Sequence, residues 1–345
     1  GTGDLRRSGA ALTGPVRDEA ERPRLGRVRD WVIGSLLLGG LILAVQLTLG
    51  WGKLLAPWRT LAPSVLAVLV LLSALSYVLR AVRVYDWLCL GTPASGCTGR
   101  FPQVLRLSVL HNTANNLLPM RTGELVFPWL MGRYFGHGFF PAAAALLWIR
   151  LLDLHFLGLI GFGIAWLRQP SWVWPAAAVL WVTALGLLGA VGSGGMGWVQ
   201  GQGGRLRRTA GKALRLLASA APGSHLRVAR VYLWTALTWI TKFLAFATLL
   251  RHFLPVDLWR ALVGVMGAEL SSVLPFHGIA GSGSYELAAV AALVPAGVDP
   301  RAALAGAVNL HLFVLGVTLL LGALAFLLPK GRPDSRDWPQ ETARH

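Results

Sequence analysis

The chain has 345 residues, 54% of them hydrophobic and 14% charged, with a formal net charge of +17 and a mean hydropathy of +0.57. That balance excludes one soluble core able to hide its apolar surface, and it requires lipid as solvent. The basic residues cluster between apolar runs instead of covering a surface, so anionic lipid headgroups are the expected partner and nucleic acid is not.

Residues 1–30 mix Arg6, Arg7, Arg17, Arg22, Arg24, Arg27 and Arg29 with acids and prolines, which predicts a flexible basic tail. Apolar stretches of membrane length then recur at Trp31 to Gly50, Pro63 to Leu79, Phe139 to Leu167, Trp172 to Gly195, Tyr232 to Leu250 and Ala302 to Leu328. Each meets the roughly 20 residues a spanning helix needs. The first follows an Arg-rich leader with no Ala-x-Ala site after it, so it is expected as a retained helix and not a signal peptide. Cys89 and Cys97 share one short loop with no zinc spacing, and neither a disulfide nor a metal site is expected there.

Two further apolar regions, residues 101–136 and 257–296, are interrupted by Leu-Pro and glycines, and their arms are too short for full spans. Both are expected as re-entrant helical hairpins, which need protein or a water-filled cavity around the broken backbone. The basic clusters at the tail, at Arg80 and Arg83, over Arg205 to Arg230, and at Lys330, Arg332 and Arg336 should all be cytoplasmic. Counting crossings on that basis sends the hairpins in from opposite faces, with both termini cytoplasmic. The expected fold is therefore all-α: a polytopic bundle of about six spans plus two re-entrant hairpins in an inverted repeat. A single membrane domain covers 31–328, with a first half at 61–167, a connector at 172–230, a second half at 231–328, and a polar tail at 329–345. Inverted repeats with matching broken helices point to a transporter site near the midplane.

The first break reads Asn115-Asn116-Leu117-Leu118-Pro119-Met120-Arg121-Thr122-Gly123-Glu124. Pro119 and Gly123 interrupt the helix and free backbone groups. The Arg121 fork suits a phosphate. Glu124 either pairs structurally with Arg121 or meets a substrate ammonium group. The second break carries Glu269, Pro275, Gly281, Gly283 and Glu286, a glycine- and serine-rich turn closer to an anion nest than to a nucleotide loop, since it lacks the Gly-Lys-Ser/Thr ending.

In the flanking spans, Arg150 and Asp153 share one helical face and are expected to neutralise each other. Lys242 extends a polar stripe with Thr235 and Thr238, which favours a cavity. Asn309 and His311 lie on opposite faces of the last span, so one of them is expected to reach the site. A charge at a helix centre costs about 2.5 to 3.5 kcal/mol on the lenient insertion scale, which argues for treating these residues as a set.

The joint order Asn-x-x-Leu-Pro-x-Arg-x-Gly-Glu, then Arg-Leu-Leu-Asp, then Leu-Pro with glycines and a closing Glu resembles the lysylphosphatidylglycerol synthase transmembrane, or flippase-like, family over roughly residues 30–328. That family includes the membrane half of the bacterial multiple peptide resistance factor. The resemblance implies a lipid translocase in the bacterial cytoplasmic membrane. It points to Asn115, Pro119, Arg121, Gly123, Glu124, Arg150, Asp153, Pro275, Gly281, Gly283 and Glu286. Ile149 and Tyr285 depart from the family pattern.

Only a short polar tail follows Lys330, with no room for the soluble aminoacyltransferase domain often found in such proteins, so a stand-alone translocase is expected. Its partners would be anionic or aminoacylated phospholipids. A separately encoded synthase and a homo-oligomer stay open, and no cofactor, metal or catalytic residue is expected. The competing readings are an intramembrane enzyme acting on a lipid-linked phosphate or sugar, with Glu124 or Glu286 as general base, and a scaffold for another enzyme.

Overall fold

A computed structural model of the protein describes residues 28–90, 96–194, 225–271 and 278–331, the side chains of 120–122, 185–194 and 225 excepted. The basic tail before Val28, the loop residues 205–224, Pro275 and the chain after Gly331 lie outside the described residues. All the regular elements described are helical. They are α1 (Val28–Thr48), α2 (Trp51–Leu55), α3 (Pro63–Val84), α4 (Phe101–Leu117), α5 (Val126–Phe135), α6 (Phe139–Arg168), α7 (Val173–Gly194), α8 (His225–Phe253), α9 (Leu258–Ser271), α10 (Ser284–Leu293) and α11 (Pro300–Ala325).

Five of these helices are long and apolar enough to cross a membrane: α1, α3 with its extension to Cys89, α6, α8 and α11. The chain is a multi-pass all-α membrane protein. The sixth expected span falls on α7, whose described apolar part is Val173–Ala184. Exposed leucines and valines run along the outer faces, among them Leu36, Leu43, Val68, Leu71, Leu319 and Leu320, as lipid-facing surfaces should.

Helix ends follow local chemistry. Pro63 opens α3 and Pro300 opens α11, where the missing N–H costs nothing. Asp299 also caps α11, its carboxylate accepting from the Ala302 N–H at 3.0 Å. Gly136 ends α5 in the left-handed region.

Long helix, broken pair, long helix occurs twice. The first set is α3, then α4 and α5 joined by a 3-10 turn over Pro119–Leu125, then α6. The second is α8, then α9 and α10 with a 3-10 turn over Ile279–Gly281 in the link, then α11. The leading helices α3 and α8 pack along each other, α9 packs on α10, and α11 packs on both α10 and α4. The two 3-10 turns touch, and α1 lies across both of them. The hydrophobic core is split accordingly, one cluster around Phe127, Met131 and Ile149 and another around Phe246, Leu250, Leu293 and Leu310.

Two expectations are corrected at this level. Cys89 and Cys97 form a disulfide with their Cα atoms 5.2 Å apart, because a π-helical turn over Tyr85–Cys89 and the turn before α4 fold back on each other. Arg80 and Arg83 are not surface charges marking a membrane exit. Helix α3 continues to Val84, and Arg83 is only 2% exposed inside the bundle.

Candidate functional site

The first broken pair is held shut by a close backbone approach. A Cβ on Gly123 would come within 2.5 Å of the Asn115 Cα, so only glycine lets the 3-10 turn lie against the end of α4. The His111 ring meets the Gly123 carbonyl at 3.1 Å. Just past Gly123, Glu124 accepts two hydrogen bonds from Arg150 on α6, at 2.8 and 3.1 Å. This pair is half-open, with side chains 27% and 23% exposed for Arg150 and Glu124.

Behind it lies a sealed layer. Arg83 donates to Asp153 at 2.7 Å and to Thr235 at 2.9 Å, and the Trp239 indole donates to the same carboxylate at 2.9 Å. Arg150 also reaches Asp153, at 3.6 Å. The guanidinium of Arg80 lies 5.6 Å from the Trp239 ring centre and donates to the neutral Asn112 amide oxygen at 3.1 Å. Lys242 pairs with Glu269 and sits 5.2 Å from both the Trp239 and Phe246 ring centres.

At the second break Glu286 is 2% exposed. It accepts from the Gly283 N–H at 2.8 Å and bonds the His311 ring at 2.5 Å, while Tyr285 stacks on that ring at 4.4 Å. Gly283 has φ +83°, the left-handed turn that starts α10 and aims its N–H at Glu286. The ionic groups run from Glu124 through Arg150 and Asp153 to Trp239 and on to Lys242 and Glu269, and Glu286 with His311 forms a separate pair at the second break.

The model of the lysylphosphatidylglycerol synthase TM region matches residues 31–322. The chain belongs to this family. No curated protein matches the chain, and no solved structure matches it either. Membership makes it a lipid-related membrane domain, and the charged chain lies wholly within the matched residues.

In this family member the expected residues separate into groups. Glu124, Arg150 and Asp153 come together in the first layer, and Lys242 with Glu269 in the second. Glu286, Gly283 and Gly281 form the second break. Asn115 lies under Gly123 at the end of α4. The Arg121 side chain and Pro275 lie outside the described residues. Asn309 turns away from the charged chain to bond the Trp58 indole and the Leu54 carbonyl.

The expected pairing of Arg150 with Asp153 is present, as one contact of a larger network. Helical spacing brings them to 3.6 Å, but their shorter contacts go to other helices, Arg150 to Glu124 and Asp153 to Arg83. The sequence reading missed Arg80, Arg83 and Trp239. A signal for the two arginines existed: Ser73, Ser76, Arg80 and Arg83 repeat at three- and four-residue steps and share one face of α3.

Proposed function

We propose that this protein is a lipid translocase that moves a charged phospholipid headgroup between leaflets along the chain of ionic groups joining the two broken helix pairs. The observation that carries the reading is the meeting of the two 3-10 turns beside several buried or half-buried ion pairs inside a bundle whose outer faces are apolar. Ionic side chains at membrane depth are costly, and where they line one path they mark a substrate or ion route.

In this reading the broken pairs are re-entrant hairpins entering from opposite faces, and the twofold order of elements is an inverted repeat. The first hairpin, with Arg121, Glu124 and Arg150, handles the headgroup on one side, and the second, with Glu269, Glu286 and Lys242, on the other. Acyl chains stay in the bilayer against the outer faces. The basic segments then face the cytoplasm, in a bacterial inner membrane. The half-open Glu124–Arg150 pair supports this, because a carboxylate and a guanidinium that part can accept an ammonium group and a phosphate respectively.

The test is reconstitution of the full chain into vesicles carrying a fluorescent phosphatidylglycerol or an aminoacylated phospholipid. Protein-dependent exchange between leaflets is expected. Exchange no faster than in empty vesicles for every anionic and aminoacyl lipid tried would sink the reading.

A further inference from the structure

We infer that Arg80, together with the Ser108, Asn112 and Asn115 face of α4, is a binding site for the phosphodiester of a membrane lipid. This inference rests on the translocase reading and names the residue that takes the phosphate. The ionic chain pairs its other described cations with acids: Arg83 with Asp153, Arg150 with Glu124, and Lys242 with Glu269. Arg80 differs. Its hydrogen-bonding partner is the neutral Asn112 amide and its guanidinium faces Trp239, while its Nε, like that of Arg83, is buried with no partner among the described residues.

Asn112 is itself satisfied, accepting from Arg80 and donating to the Ser108 carbonyl at 2.8 Å, but its neighbours on the same helix face are not. Ser108, Asn112 and Asn115 lie at successive turns on one face of α4, and Asn112 touches Arg80 directly. The Ser108 hydroxyl and the Asn115 amide oxygen are buried without partners. Buried polar atoms are nearly always satisfied, and a cluster that is not needs an explanation. A guanidinium N–H and a hydroxyl suit phosphate oxygens, and an amide oxygen suits a hydroxyl or amine of the headgroup. The set of open valences is that of a phosphodiester with a polar headgroup.

Depth favours a lipid over a soluble phosphate. At 1.5 Å per residue, Arg80 lies roughly 25 Å along α3 from Pro63, in a hydrocarbon layer about 30 Å thick. The span runs on to Cys89, so Arg80 lies inside the apolar layer, where a phosphate tethered to acyl chains is held more readily than a free one. The atoms concerned are covered in this structure, so the site is in its closed form and binding requires α3 and α4 to part.

The experiment uses the full chain in phosphatidylcholine vesicles doped with a phosphatidylglycerol that bears a diazirine on its headgroup. Irradiation is expected to label residues 77–84 and 108–116, and labelling confined to other segments overturns the site without any mutation. In detergent, native mass spectrometry is expected to show phosphatidylglycerol retained by the wild type. Retention should fall about tenfold in Arg80→Gln and recover partly in Arg80→Lys. Arg133→Gln, which removes an exposed cation from α5, should retain lipid like the wild type. Equal retention by Arg80→Gln and wild type overturns the inference.

Displacement of the lipid by millimolar glycerol phosphate would make the ligand a soluble phosphate and overturn the lipid assignment. Leaflet exchange measured in the same vesicles separates the two claims. Exchange with no labelling at these segments removes the Arg80 site and leaves the translocase standing; labelling without exchange does the reverse.

Discussion

The two broken helix pairs share an order of elements but differ in how their carboxylates are kept. At the first, Glu124 is partly open and faces a guanidinium that is itself partly open. At the second, Glu286 is sealed, capped by the Gly283 N–H and bonded to an imidazole that Tyr285 covers. Exposed ion pairs contribute little to stability, whereas a buried group that loses its partner is expensive. In the translocase reading, the first break is the one that exchanges partners and the second the one that stays assembled.

Substitutions sharpen this contrast. Asp153, behind the first break, anchors Arg83, Trp239 and the flank of Arg150. Asp153→Ala should cost about 3 to 5 kcal/mol, because it strands the buried Arg83, and thermal unfolding in detergent reads that directly. Glu286→Ala should cost about 2 to 3 kcal/mol by removing charge-assisted bonds to His311 and Gly283. A smaller loss than that of Glu124→Gln would break the comparison.

Gly123→Ala should cost about 1 to 3 kcal/mol by overpacking the turn against α4. Glu124→Gln should change stability by at most about 1 kcal/mol yet slow leaflet exchange, so unaltered exchange would show that the half-open pair is only structural. The smallest effect is expected at Ala280, the one described non-glycine residue with positive φ, at 54°. Ala280→Gly relieves left-handed strain and should stabilise the second break by about 0.5 to 1 kcal/mol after the added chain freedom is set against it, seen as a higher midpoint of thermal unfolding.

Much of the architecture was legible because lipid imposes a length and an apolar composition on each spanning helix. The interruptions at Pro119 and Gly123 and at Gly281 and Gly283 were likewise visible as departures from that composition. Pairing was harder to read. Helical spacing joins residues on one helix, so Arg150 was matched to Asp153, while the closer contacts run between helices far apart in sequence. Arg80 and Arg83 were misplaced because a charge after an apolar run looks the same whether the helix ends or continues inward. The disulfide escaped for a related reason: the spacing of Cys89 and Cys97 excludes a zinc motif, but whether the backbone folds back between them is a tertiary matter.

Arg106, near the start of α4, donates to the carbonyls of Ala325, Phe326 and Leu328 at the end of α11, and Gly322 of α11 packs so tightly on Thr113 of α4 that a Cβ would come within 2.8 Å of its methyl group. The terminal carbonyls of one helix are thus gripped by a side chain from the other half of the molecule. The consequence is mechanical. Helices α4 and α11, one from each half, are fastened to each other, so a motion that separates the halves has to break these contacts. In the proposed translocase, a crosslink between α4 and α11 should leave leaflet exchange intact.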